Sequence, residues 1–393
     1  MSDRPAIGRE PRVALVTYST RPRGGVVHVL NLAEALHAQG QTVHLFALGD
    51  PAEGFFRPTV VPHSIAPAPA PADSLEERVF ASVAALVDAL GEAVPGAFDM
   101  VHAQDCIASR AAVDLRDGGA RFSVVRTVHH VDDFTTEALV ECQRRSILGP
   151  DRVLVVSEHW RRVLLEEFGV EAAVVTNGVD PERFLRPPGF EPSGCRRRVN
   201  AEGRVLFLTV GGIEPRKGSL ELVEAMAKAK AAMDPSPVLA VVGGHSFQDY
   251  VDYRTQFFDR ASALGVEVGR DVILLGTVPD RELPGWYHAA DAFVFPSVKE
   301  GWGLVVLEAL AAGLPVIATD IPVFREYLTH DRDAVLVAAG DAGSLAAAML
   351  RVAGDPGLRA RLAEAGPSLA ARFSWDACAR QHAEVYRALL QPA

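Results

Sequence analysis

Two carboxylates eight positions apart, Glu300 and Glu308, bracket the glycine-punctuated turn Gly301-Trp302-Gly303-Leu304. The turn follows an apolar run, Asp291 to Phe295, and the pair Pro296-Ser297. It precedes a helix-forming run from Gly303 or Leu304 through Ala312, which Gly313 and Pro315 stop. Unpaired backbone N–H groups and the helix dipole at such an N-terminus favour an anion. Gly301 and Gly303 lack a Cβ and let the backbone approach a ligand closely. Carboxylates accept hydrogen bonds from hydroxyls. A phosphate on the turn would therefore leave Glu300 near a sugar at one end and Glu308 near a ribose at the other. Taken singly, Glu300 reads as a solvated loop residue and Glu308 as a surface helix residue. Their joint occurrence with the two glycines and the flanking strands favours a site.

Other residues of chemical interest also stand at strand ends. Arg216 and Lys217 lie in the loop Gly211 to Gly218, between a strand at Val205 to Val210 and a helix at Ser219 to Met233. Adjacent cations there suit a diphosphate; a solvated basic turn is the alternative. The loop is not a P-loop, because Lys217 precedes its glycine. His129 follows a strand at Phe122 to Thr127, and parallel sheets bind ligands beyond the carboxyl ends of their strands. Gly24-Gly25 marks the first turn of a strand–helix–strand unit (Val13 to Tyr18, Val26 to Ala38, Thr42 to Leu48), without the three-glycine spacing of a dinucleotide fingerprint. Gly243-Gly244 closes a strand at Val238 to Val242. His130, Asp132 and Asp133, and the word Asp331-Arg332-Asp333, have metal-ligand residue types but read as a polar loop and a turn.

These positions need a repeated strand–helix framework. At 393 residues, with 49% apolar residues, the chain suits two α/β domains. Asn177-Gly178 is a turn signal, and Pro181 to Gly203, rich in Pro, Gly and Arg, reads as an interdomain linker. Residues 50–73, with Phe55-Phe56 and alternating Ala-Pro, read as a surface excursion, because dense proline prevents helix and central strand. Helices are expected at Leu75 to Leu90, Asp249 to Leu264 and Arg281 to Ala289, and at Asp376 to Leu390 behind Ser374 as N-cap. A net charge of −11 argues against nucleic acid as a partner. The four cysteines have no metal or redox spacing. With a polar N-terminus and no apolar run of transmembrane length, they fit a cytoplasmic protein whose peripheral contact with a membrane stays open.

The turn around Trp302 resembles the signature of glycosyltransferase family 4, where two glutamates eight positions apart bracket a Gly-aromatic-Gly-Leu turn. The family usually has Phe at the position of Trp302. The resemblance implies the GT-B architecture: two Rossmann-like α/β domains facing across a cleft, the first (1–185) binding the acceptor and the second (200–373) the donor, with a C-terminal helix (374–391) crossing back to the first. It implies retaining, metal-independent transfer from a nucleotide-diphosphate sugar to an unidentified acceptor, without a cofactor, by front-face attack. It gives catalytic roles to Glu300, Arg216, Lys217 and His129. Donor binding falls to Gly24, Gly25, Gly243, Gly276, Thr277, Val278, Gly301, Trp302, Gly303, Leu304 and Glu308, with Gly276-Thr277-Val278 holding the nucleobase. The family arginine about five residues before the lysine is here Gly212; a family variant with the word G-x-I-E-P-R-K is similar to this chain and gives that role to Arg216. The other readings are a GT-B nucleotide-sugar epimerase, a nicotinamide-dependent dehydrogenase and a non-catalytic sugar-nucleotide-binding protein.

Overall fold

The computed structural model describes residues 10–186, 188–244, 247–248 and 250–391. The chain divides into two compact units, one running to Gly178 and resuming at Trp375, the other spanning Val179–Ser374. The polar stretch 1–9 and Asp249, the expected first residue of a helix, lie outside the described residues; that helix begins at Val251.

Unit 1 is a parallel sheet of β1 (Arg12–Thr17), β2 (Thr42–Gly49), β3 (His63–Pro67), β4 (Met100–Ala103), β5 (Ser123–Val128), β6 (Arg152–Val155) and β7 (Ala173–Val174). Its strand order is β3-β2-β1-β4-β5-β6-β7. Val13, Ala14, Leu15 and Val16 are wholly buried, as a strand covered by helices on both faces requires. Side-chain caps start several helices. Ser74 and Glu77 form a reciprocal capping box, while Asp105 accepts from Ala108 N and Ser157 from Trp160 N. The last helix, Trp375–Leu390, belongs to this unit. It packs on the helix Gly24–Ala38, where Gln39 Nε2 donates to Asp376.

Two expectations need correction in these regions. The segment 50–73 holds β3, which pairs with β2 at the sheet edge and has Pro67 as its last residue. Proline is tolerated there because an edge strand has one unpaired side. The segment is also tied down. Phe55 is buried, and Arg57 reaches both oxygens of Glu34 at 2.7 and 2.8 Å. The expected linker, Pro181 to Gly203, belongs to unit 2. It forms a 3-10 turn at Glu182–Phe184 and a helix at Ser193–Arg198, held by Arg196 on the Ala289 carbonyl and on Asp291. A six-residue helix secured by distant partners leaves no periodic signal.

Unit 2 repeats the scheme with β8 (Leu206–Val210), β9 (Val238–Val242), β10 (Val272–Gly276), β11 (Ala292–Phe295), β12 (Val316–Thr319) and β13 (Val335–Val337). All pairs are parallel, in the order β10-β9-β8-β11-β12-β13. In each unit the chain builds outward to one side of its first strand, then returns to the other. The connections reverse direction between β1 and β4, and between β8 and β11. Loops at the carboxyl ends of such strand pairs diverge and leave a crevice for a ligand.

Candidate active site

The loops that leave β8 and β11 meet at the reversal point of unit 2. After β8 the chain passes Gly211-Gly212, makes a 3-10 turn at Pro215–Lys217 and enters the helix Ser219–Ala232. After β11 it runs Pro296 to Gly303 and enters the helix Leu304–Ala311. Glycine is required where these loops touch. Gly218 has φ +64, and a Cβ there would collide with the Pro296 carbonyl. Gly303 has φ +86, and a Cβ would lie 2.6 Å from Phe324 Cε1. The loops are stitched by Val298 N donating to Arg216 O at 2.8 Å.

Glu300 is the hub. Its Oε1 accepts from Lys217 Nζ at 2.5 Å, from Ser297 Oγ at 2.7 Å and from Arg216 Nη1 at 3.3 Å. Arg216 Nε also pairs with Glu214 at 3.0 Å. Glu300 is 8% exposed, so it is not the solvated loop residue its setting allowed. Burial alone would raise its pKa, but Lys217 and Arg216 outweigh burial and hold the carboxyl below its ordinary value. Burial, then the neighbouring Arg216, push Lys217 down. Its ammonium stands 4.6 Å from the centre of the Phe295 ring. Thr319 Oγ1 donates to the Ser297 carbonyl and so fixes the residue that orients Glu300.

Glu308 faces a different set of groups. The Tyr287 hydroxyl donates to its Oε2 at 2.8 Å. Burial raises the Glu308 carboxyl, opposed by that hydrogen bond and by the charge of Arg183, itself paired with Asp280 at 2.6 Å. Gly301 and Gly303 are buried in the turn and Leu304 is half-buried. The Trp302 side chain points into the protein. It is 3% exposed and packs in the interior against Tyr327 and Phe373, while its carbonyl accepts from Tyr327 Oη. The turn thus offers its backbone, with the indole as its floor.

Three further sites lie along the strand ends. Gly243, at the end of β9, faces Gly211; a Cβ on it would lie 2.6 Å from the Gly211 carbonyl carbon. Gly276, with φ +64, is the last residue of β10, and exposed Thr277 and half-buried Val278 follow it. A Cβ on Gly244 would be 2.7 Å from Thr277 Oγ1. At Gly212, a Cβ would be 2.6 Å from the Gly244 carbonyl. A side chain at that position would need its neighbours to shift.

In unit 1, Gly24 opens the helix after β1 and borders open space. A Cβ on Gly25 would sit 4.0 Å from His129 Cδ2. His129 Nε2 is 3.2 Å from Gln104 Oε1, and its ring meets that of His28 edge-on at 4.7 Å. Burial, then the charge of Arg126, lower the His129 pKa well below its ordinary value. Gly25 and His129 therefore come together at the carboxyl ends of their strands.

Sequence reasoning missed Ser297, Tyr287 and Thr319. Ser297 was visible beside Pro296 at a strand end. Tyr287 had no local signal, because its role follows from its hydroxyl reaching Glu308, 21 residues further along the chain. Among the described residues, no group of three or more His, Cys, Asp or Glu is arranged to hold a metal ion. Asp331 is bound by Arg351 and Asp333 by Arg332, the behaviour of a turn. No helix of the described residues is long and apolar enough to cross a membrane.

Residues 196–369 match the family described as glycosyl transferases group 1, and residues 22–183 match glycosyltransferase family 4. A D-inositol 3-phosphate glycosyltransferase of Frankia alni is 32% identical over 319 residues, 76% of each chain. A phosphatidyl-myo-inositol mannosyltransferase of Mycolicibacterium smegmatis is 30% identical over 383 residues, 95% of this chain and 93% of that one. Among solved structures, Anabaena HepE in complex with UDP and glucose superposes with a TM-score of 0.78 at 20% identity, covering 96% of this chain and 100% of the other.

Proposed function

The chain belongs to glycosyltransferase family 4, and from that premise we propose that it moves a sugar from a nucleotide-diphosphate sugar to an acceptor hydroxyl with retention of configuration and without a metal ion. The observation that carries this reading is the convergence of Lys217, Arg216 and Glu300 where β8 and β11 end. Two cations aimed at one place supply the positive charge that a departing diphosphate needs, and the backbone of the Gly303-Leu304 turn adds N–H groups at a helix N-terminus. Glu308, held by Tyr287, is placed for ribose hydroxyls. Gly276-Thr277-Val278, exposed at the end of β10, borders the nucleobase.

On this reading the acceptor oxygen attacks the anomeric carbon from the face the diphosphate leaves. The carbon–oxygen bond to the diphosphate breaks, the new glycosidic bond forms, and the acceptor proton passes to the leaving phosphate oxygen. Glu300 orients the donor sugar and steadies positive charge at the anomeric carbon. Its carboxylate already accepts from three groups, which favours this electrostatic role over that of a covalent nucleophile. The four cysteines are free thiols, which suits a reducing compartment, and the reading assigns no cofactor. The relatives' names place their acceptors among inositol phosphates and phosphatidylinositols; an acceptor with ring hydroxyls follows by analogy.

Calorimetric titration of UDP, GDP, ADP, dTDP and NAD, with Glu308→Ala as control, tests the donor site. One nucleoside diphosphate should bind, and the variant should bind it more weakly. NAD binding alone would refute the proposal. NMR of the product's anomeric proton reports whether configuration is retained.

A further inference from the structure

Unit 1 carries a second polar cluster on the opposite sheet face from the histidines. Thr127 Oγ1 meets His102 Nε2 at 2.8 Å, and alternation along β5 sends the preceding residue, Arg126, the other way. Arg126 is 5% exposed, yet its Nε and Nη1 have no hydrogen-bond partner among the described residues. The groups that act on it against burial are, in falling order, Cys106, Asp105, Asp132 and Cys142. The two thiols are raised by burial and stay neutral. Asp105 spends its oxygens on Ala108 N at 2.8 Å and Tyr18 N at 2.9 Å. Asp132 lies 3.3 Å from His130 Nε2. Arg23 is turned to the Tyr18 hydroxyl at 2.7 Å.

A buried guanidinium with unclaimed donors is costly, and such a group persists where a ligand completes it. The location fits. Tyr18 follows β1, and Asp105 caps the helix Cys106–Asp117 that follows β4, so the cluster lies where the connections of this sheet reverse. We propose that it is the acceptor subsite of the transfer reaction and takes a neutral polyhydroxylated compound, with Arg126 donating to hydroxyl oxygens and the carboxylates accepting from hydroxyl protons. A phosphate is disfavoured because the charges of Asp105 and Asp132 already act on Arg126 and would repel a further anion. This inference rests on the proposed transfer and specifies its acceptor.

Arg126→Met keeps the side chain's length and removes its charge and donors. Myo-inositol, trehalose and glycerol, with inositol 1-phosphate and trehalose 6-phosphate as charged counterparts, are titrated into both proteins by calorimetry. A neutral polyol should bind the wild type and bind the variant at least tenfold more weakly, and the variant should melt above the wild type because buried donors without hydrogen-bond partners are gone. Binding of the phosphates alone, of no compound, or of a polyol equally to both proteins overturns the subsite, as does a variant that melts below the wild type. UDP and GDP titrated into the same proteins keep the two readings apart. Their binding reports on the proposed diphosphate site and not on Arg126, so an absence of nucleotide binding by the wild type counts against the transfer reaction itself.

Discussion

The two units share one strand-order plan and handle charge at its reversal point in opposite ways. In unit 2 the ions neutralise each other inside the protein: Glu300 accepts from Lys217, Arg216 and Ser297 within 3.3 Å. In unit 1 the imidazoles lose their charge. Burial lowers His28, His102 and His129 well below the ordinary value, and lowers His382 to about 4. His28 Nδ1 is 2.9 Å from Asn177 Oδ1, and His102 Nδ1 is 2.7 Å from the Tyr386 hydroxyl. On the proposed transfer, cations already held in place by a carboxylate meet a diphosphate with little reorganisation. The same strand-order plan thus carries buried polar groups in two ways, matched by opposite charge or stripped of charge.

The sharpest way to break the contrast is Glu300→Gln. It leaves Lys217 and Arg216 facing a neutral amide, and breaking such a buried pair costs about 3–5 kcal/mol. Chemical denaturation at pH 7 should show that loss, and turnover should fall with it. Glu300 is held below its ordinary value, so its contribution is present above pH 4.5 and disappears as pH falls through its folded value. The gap between variant and wild type should therefore narrow in acid. Equal stability at pH 7 would mean that the charges in unit 2 are not paired as described.

Next in size is Lys217→Ala. Removing one donor aimed at the leaving group should lower kcat by roughly 10²–10³ and weaken nucleoside diphosphate binding in the same titration series. A variant that turns over normally would move the charge-stabilising role away from this loop.

The neutral histidines of unit 1 predict an acid limb. A group whose folded pKa is lowered binds protons more readily when unfolded, so stability is lost as pH falls below 6.5. For His382, taken from 6.5 to about 4, the loss by pH 4 is about 3 kcal/mol, with the other histidines adding to it. Hydrogen exchange at pH 7 and pH 5 should show unit 1 loosening before unit 2. Loosening of unit 2 first would contradict the assignment of neutral imidazoles to unit 1.

The smallest expected effect has the opposite sign. Burial raises Glu308, so its contribution is present below pH 4.5 and is lost as pH rises through its folded value. Glu308→Gln should therefore stabilise near pH 7, by about 1 kcal/mol, while weakening nucleotide binding. A lower melting temperature at pH 7 would show that the carboxylate is paired more strongly than its bond to Tyr287 accounts for.

Most of the framework was legible because parallel strands covered on both faces must be continuously apolar. Val13–Val16, Leu206–Val210 and Val238–Val242 announce themselves in that way. Edge elements were not legible: β3 carries Ser64 and Pro67 and is largely exposed, so no apolar run marks it. The positions of Glu300, Glu308, Lys217 and Arg216 were readable from their residue types at strand ends. Their partnerships were not, since Lys217 and Glu300 are 83 residues apart in the chain.

By itself the sequence determined the two α/β repeats, the turns that only glycine can make, and which residues could meet a phosphate or a hydroxyl. Each of these depends on neighbours within a few positions, where backbone sterics and periodicity act. Tertiary structure decided that Glu300 is a buried ion-pair hub, that Trp302 turns inward as a floor, that Tyr287 holds Glu308 and that Arg126 is left with unclaimed donors. Those outcomes depend on burial and on partners brought by other strands and helices, and a charge's state inside a protein is set by what surrounds it in space.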